Sequence, residues 1–127
     1  MIGSIILAHL VGDYILQTDY MAQEKTRRWT PAILHGITYT LPFLFITQSP
    51  VALLIICVTH IIIDRFRLAK YLVYLKNQIA PKRFRYKFGE SSSGYAKTVP
   101  DWMGVWLMIV ADNTLHLLIN VWAVYTF

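Results

Sequence analysis

The sequence predicts an all-α integral membrane protein, a four-transmembrane-helix bundle with both termini on the non-cytoplasmic side. Three observations carry that expectation. Apolar and aromatic residues make up 56% of the chain and charged residues 15%, with a positive mean hydropathy, a balance that an ordinary water-exposed domain does not have. The apolar residues fall into four stretches, and all 12 lysines and arginines fall between them, at 25–28 and 65–97. Three of the four stretches also open on a helix start signal.

The first expected span is residues 1–17, roughly 25 Å long at about 1.5 Å per residue. No basic residue precedes it, Asp13 interrupts it and no small-x-small site follows, so it is expected to be a mature helix rather than a cleaved signal peptide. Residues 18–30 are polar and basic, with Lys25, Arg27 and Arg28, and with Tyr20 and Trp29 as interfacial anchors. Thr30-Pro31 reads as an N-cap followed by proline at the first helical position, opening a second span over 31–47 that Pro42 is expected to kink. Ser49-Pro50 repeats the signal for a third span over 50–67, whose amphipathic continuation runs to about residue 77 along the headgroups. The basic segment 65–100 holds Lys82, Arg83, Arg85 and Lys87, then the flexible composition Gly89-Glu-Ser-Ser-Ser-Gly94. The fourth span covers 102–126 behind Asp101, a cap.

Charge segregation sets the orientation. By the positive-inside rule, segments 18–30 and 65–100 are cytoplasmic, which makes residues 1–127 one multi-pass membrane domain. The net charge of +5 is accordingly directed at membrane lipids, and no nucleic-acid partner is expected. The single cysteine, Cys57, lies in an apolar run, which excludes a disulfide framework and a cysteine-based zinc motif.

Within these spans a histidine and an aspartate stand four residues apart three times: His9 and Asp13, His60 and Asp64, and, reversed, Asp112 and His116. On an α-helix such pairs share one face, so each presents an imidazole beside a carboxylate. With the helix directions fixed by charge, all three aspartates lie nearer the cytoplasm, and His35 joins at similar depth from the second span. Polar groups of this kind are costly in apolar surroundings unless they serve a shared site. The expected metal ligands are His9, Asp13, His35, His60, Asp64, Asp112 and His116. Mixed imidazole and carboxylate donors suit a divalent transition metal, zinc, manganese or iron, as one or two ions. Asp13, Asp64 and Asp112 are the candidate catalytic carboxylates, and Arg65, Arg67 and Lys70 the candidates for a substrate phosphate or a lipid headgroup. The competing reading of each pair is a hydrogen-bonded unit that fixes helix packing, and under either reading Gln17, Asn113 and Asn120 can extend the polar network.

Three stretches carry a family resemblance: His9 to Ala22, Thr59 to Lys70, and Asp112 to Asn120. Together with the placement of His35 they resemble the domain-of-unknown-function 3307 family of small bacterial and phage integral membrane proteins, a resemblance that implies a multi-pass protein of the bacterial inner (cytoplasmic) membrane. Their His-x3-Asp helices are similar in pattern to membrane-bound metal-dependent hydrolases. The resulting functional expectation is a membrane-embedded metal-dependent hydrolase acting on a lipid or lipid-linked phosphate ester at the cytoplasmic leaflet. The alternatives are a metal-ion or proton transporter or channel, and a non-catalytic membrane assembly protein, homo-oligomers included, with a structural metal or polar network.

Overall fold

A computed structural model describes residues 1–90 and 93–127. Ser91 and Ser92, in the middle of the stretch read as flexible, lie outside the described residues. Every regular element described is helical: α1 (Ile2–Leu10), α2 (Asp19–Glu24), α3 (Trp29–Thr40), α4 (Pro50–Phe66), α5 (Leu68–Asn77) and α6 (Asp101–Thr126), with a π-helical turn at Val11–Ile15 and 3₁₀ turns at Leu41–Phe45 and Lys82–Phe84.

The four-transmembrane-helix bundle, with its two termini on one side, is not what these lengths allow. Among the described residues one helix, α6, with 26 residues, is long and apolar enough to cross a membrane. The other three stretches are each cut short by a local backbone event. The apolar run Ile2–Ile15, its π turn included, is too short to span, because the chain leaves helical geometry after Ile15 and starts α2 afresh at Asp19. α3 ends at Thr40, where Pro42, which has no N–H to donate, turns the chain into 3₁₀ geometry. α4 stops at Phe66 instead of continuing toward residue 77, because Arg67 adopts a left-handed conformation with φ 51° and starts α5 afresh. The layering of aspartates toward one membrane face falls with that bundle.

Start signals fared unevenly. Ser49 caps α4, its Oγ accepting from the backbone N–H of Ala52 at 3.3 Å. α3 instead begins at Trp29, before the Thr30-Pro31 signal, so Pro31 sits inside the first turn, where its missing N–H costs nothing.

The chain divides into two compact units, residues 1–66 with 116–127, and residues 67–115. In the first, α3 packs along α4. Gly36 makes that approach close, since a Cβ there would collide with the side chain of Ile61. The apolar core of this unit is Ile5, Ala8, Tyr39, Phe43, Ala52, Ile56 and Ala123. In the second unit α5 buries Ala69 and Val73, Lys76 donates to the Tyr95 hydroxyl at 2.9 Å, and Tyr71 stacks on Phe88. Gly94, at φ +80°, fits closely against the Lys70 carbonyl.

Candidate metal centre

The first unit buries four polar side chains from three elements at one point. Asp13 comes from the π turn, a local widening of the helix that recurs at functional sites. The turn can reach α3 only because residue 12 is glycine: a Cβ there would lie 2.7 Å from Tyr39 Cδ2 and 2.9 Å from the Tyr39 carbonyl oxygen. His35 projects from α3 beside Gly36, and the tight packing there carries it to His60 and Asp64 of α4. All four residues are buried.

Their ligand-capable atoms converge. His35 Nε2 lies 2.9 Å from His60 Nε2, 3.1 Å from Asp13 Oδ1 and 3.2 Å from Asp64 Oδ2. His60 Nε2 lies 3.4 Å from Asp13 Oδ1 and 3.2 Å from Asp64 Oδ2. Four ligands at about 2.0–2.1 Å from a tetrahedral metal stand about 3.3 Å from one another. These five separations are thus close to those of a coordination shell, all four atoms lie within 4.8 Å of one another, and the set could hold a metal ion.

The surrounding hydrogen bonds orient one of these donors. His116 Nε2 lies 3.2 Å from Asp64 Oδ1, and His116 Nδ1 lies 3.2 Å from His60 Nδ1. With both rings neutral, His116 donates from Nε2 to the carboxylate and accepts at Nδ1 the proton of His60 Nδ1. That leaves His60 Nε2 with a bare lone pair aimed into the cluster, the tautomer a metal needs. On the opposite side, Asn120 Nδ2 donates to the Tyr39 hydroxyl at 2.6 Å, so the hydroxyl proton is directed to His9 Nδ1 at 2.8 Å. His9 Nδ1 is in turn 3.5 Å from Asp13 Oδ2. The Tyr39 ring stacks on His60 at 3.5 Å between centroids, tilted by 13°.

A family model described as "Protein of unknown function (DUF3307)" matches residues 1–127. The chain belongs to the DUF3307 family. No curated protein and no solved structure matches it, so the chemistry of this DUF3307 protein rests on its own residues.

Electrostatics sort those residues into distinct states. Burial works against a charge on Asp64, yet the imidazoles of His60, His116 and His35 hold its carboxyl well below the usual carboxylate range. Burial likewise opposes ionisation of Asp13, and the hydrogen bond from His35, helped by the neighbouring imidazoles, outweighs it. His60 is pushed down to about 4 by burial, against the pull of Asp64, and is neutral at ordinary pH. Burial pulls His35 the same way, but its bonds to Asp13 and Asp64 win and raise it. Without a metal, a proton on His35 occupies the place of the cation.

The DUF3307 chain also brings two cations to this corner. Lys25, just after α2, donates to Asp64 Oδ2 at 2.6 Å. Arg65, next to Asp64, donates to the carbonyls of Thr26 at 2.5 Å and Arg27 at 3.2 Å, while its guanidinium lies over the Trp29 ring. Arg65 is thus committed to bracing the 25–29 segment.

Of the seven ligands expected from sequence, His35, His60, Asp13 and Asp64 form the cluster, His116 stands behind Asp64, and His9 behind Asp13. Asp112 falls in the second unit, one turn before His116 on α6. Arg67 is the left-handed residue between α4 and α5, and Lys70 places its ammonium 5.5 Å from the centre of the Phe88 ring. Gln17 donates to the Asp13 carbonyl at 3.1 Å. Two residues of the site went unread in the sequence. Tyr39 looks like one more aromatic in an apolar run, although its spacing, four residues after His35, was a usable signal. Lys25 stands in the sequence as one more charge of a basic segment.

Proposed function

We propose that this chain is a metal-dependent hydrolase whose centre is Asp13, His35, His60 and Asp64. The observation that carries this reading is the convergence of four buried donor atoms from three separate elements, all within 4.8 Å of one another. A hydrogen-bonded packing device needs one donor and one acceptor; it does not need two ring nitrogens and two carboxylates facing a common point.

A bound divalent metal supplies Lewis acidity and a water acidified for attack. The chain's own groups do the rest. His116 holds His60 in the ligating tautomer. Asp13 is the proposed proton acceptor, since its second oxygen faces His9, and the Tyr39 hydroxyl bonded by Asn120 keeps that imidazole in place. Asp64 is held as a ligand between His116 and Lys25, and Asp112 is retained as a third candidate carboxylate. Four protein ligands close a tetrahedral zinc site, whereas manganese or iron keeps a coordination position for water, so those two ions suit catalysis best.

The substrate class proposed is a lipid or lipid-linked phosphate ester. Its support is α6, long and apolar enough to cross a membrane, together with outward-facing Leu7, Ile15, Phe45 and Leu54 in the first unit, an apolar exterior fit for lipid contact. Membrane attachment through α6 is the localisation that goes with it.

One observation favours a second reading. Lys25 already neutralises Asp64, so the cluster can stand as a metal-free polar network with a structural role. Elemental analysis of gently purified protein, followed by assay of a generic phosphate monoester and diester with manganese, iron or zinc, decides between them. Bound transition metal and metal-dependent hydrolysis support the hydrolase; absence of both, in folded protein, leaves the network.

A further inference from the structure

An ammonium lies at the more exposed edge of the cluster. The Lys25 side chain is 17% exposed, whereas the Asp64 side chain it contacts is 5% exposed, so a ligand arriving from outside meets Lys25 first. Its position is set from both ends. Thr18 caps α2 by accepting from the Met21 N–H at 3.3 Å, and buried Met21 anchors that helix. After Lys25, the carbonyls of Thr26 and Arg27 are gripped by Arg65. The grip comes from the residue adjacent to Asp64, so the turn of α4 that presents the carboxylate also holds the backbone that presents the ammonium.

Such a placement is awkward for a group meant only to neutralise a metal ligand. An ammonium at 2.6 Å from Asp64 Oδ2 competes directly for the lone pairs a metal would use. The charges explain what it gains once a metal is present. With a divalent cation bound, its two charges and the Lys25 ammonium outweigh the two carboxylates and leave the loaded site net cationic by one charge. A net cationic site with an ammonium at its more exposed edge attracts an anion, and a lysine ammonium, a compact charge with three donors on a flexible stem, can swing from a carboxylate to a phosphate oxygen without backbone movement. Arg65, committed to two carbonyls, is not available for this.

Building on the metal-centre reading above, we propose that Lys25 is the anion-binding residue of the site: it pairs with Asp64 in the metal-free protein and transfers to an anionic oxygen of a phosphate-type ligand in the metal-loaded one. Lys25 then sets a preference for tetrahedral oxyanions and also tunes metal affinity by competition.

The test uses the full chain with manganese as metal and inorganic phosphate as probe, both followed by titration calorimetry, in wild type, Lys25→Met, Lys25→Gln and Lys25→Arg. Removing the ammonium is expected to tighten manganese binding on the order of tenfold, as its competition for Asp64 is lost. The same change is expected to weaken phosphate binding to the manganese-loaded protein on the order of tenfold or more, while Lys25→Arg stays within a few-fold of wild type. Unchanged phosphate affinity in the loaded neutral variants overturns the proposal, as does metal affinity that is equal or weaker in them. If Lys25→Met and Lys25→Gln both fail to fold even with manganese present, the ammonium is a structural counter-ion and the proposal is overturned. If wild type binds no metal at all, the metal-centre reading itself fails, and this one with it. Normal metal binding with unaltered phosphate behaviour removes only the role of Lys25.

Discussion

His35 Nε2 and His60 Nε2 face each other at 2.9 Å in the interior of the first unit, with a carboxylate oxygen of Asp13 and one of Asp64 beside them. Two imidazole nitrogens at that distance must share a proton or a cation between them. His116 decides which ring yields, because it holds the His60 proton on Nδ1. His35 therefore carries the shared proton in the metal-free state and must give it up to a metal.

The pH dependence of stability follows from the opposite shifts of these two rings. His35 is raised above its ordinary value of 6.5, so its contribution is complete below about 6.5 and is lost as pH rises through the raised value. His60 is lowered to about 4, so the unfolded chain takes up more protons between about 4 and 6.5, and stability falls on acidification across that range. Metal-free protein is expected to be most stable near pH 6.5. With manganese or zinc present the His35 proton is gone, and the metal-induced rise in Tm is expected to grow with pH. Melting curves with chelator and with metal across this range check both slopes; a flat metal-free profile would count against the assignment.

Asp64→Asn strikes the pair with Lys25 and the cluster together. Breaking a mostly buried ion pair costs about 3–5 kcal/mol, and the ammonium left behind has no carboxylate. Denaturant titration should show that loss, along with abolished metal binding. If stability holds within about 0.5 kcal/mol, the pair is a solvated surface contact.

How much of this was legible in the sequence differs between site and fold. Two of the His-x3-Asp pairs and His35 could be read as one polar locus because buried imidazoles and carboxylates are costly unless they meet. Neither the π turn that redirects Asp13 nor the left-handed Arg67 that ends α4 leaves a mark in composition, and hydropathy alone reads the runs around them and Pro42 as spans. Lys25 was hidden for a different reason. It pairs with a residue 39 positions away, and no local periodicity reports such a contact.

Gly12→Ala tests whether the π turn needs its close approach to α3. The new methyl would meet both the ring and the backbone oxygen of Tyr39, and the backbone cannot rotate aside. A loss of about 1–3 kcal/mol is expected, as for other overpacked interiors. Metal affinity should fall too, since Asp13 follows directly. Wild-type stability in the variant would mean that the turn is loosely packed.

Tyr39→Phe keeps the ring stacked on His60 and removes the hydroxyl to which Asn120 donates. Leaving that buried amide group without its acceptor costs about 1–3 kcal/mol. Metal stoichiometry is expected to persist, because Tyr39 offers no ligand to the cluster, while any hydrolytic rate should drop as His9 loses its fixed orientation. Loss of the metal instead would assign the hydroxyl a direct part in holding it.

The central claim is tested most directly by metal content. Elemental analysis of gently purified wild-type protein and of His60→Ala, each confirmed folded by circular dichroism, is expected to give about one transition-metal ion per wild-type chain and close to none in the variant. Wild-type protein without metal, which also fails to take up manganese, iron or zinc on addition, would contradict it.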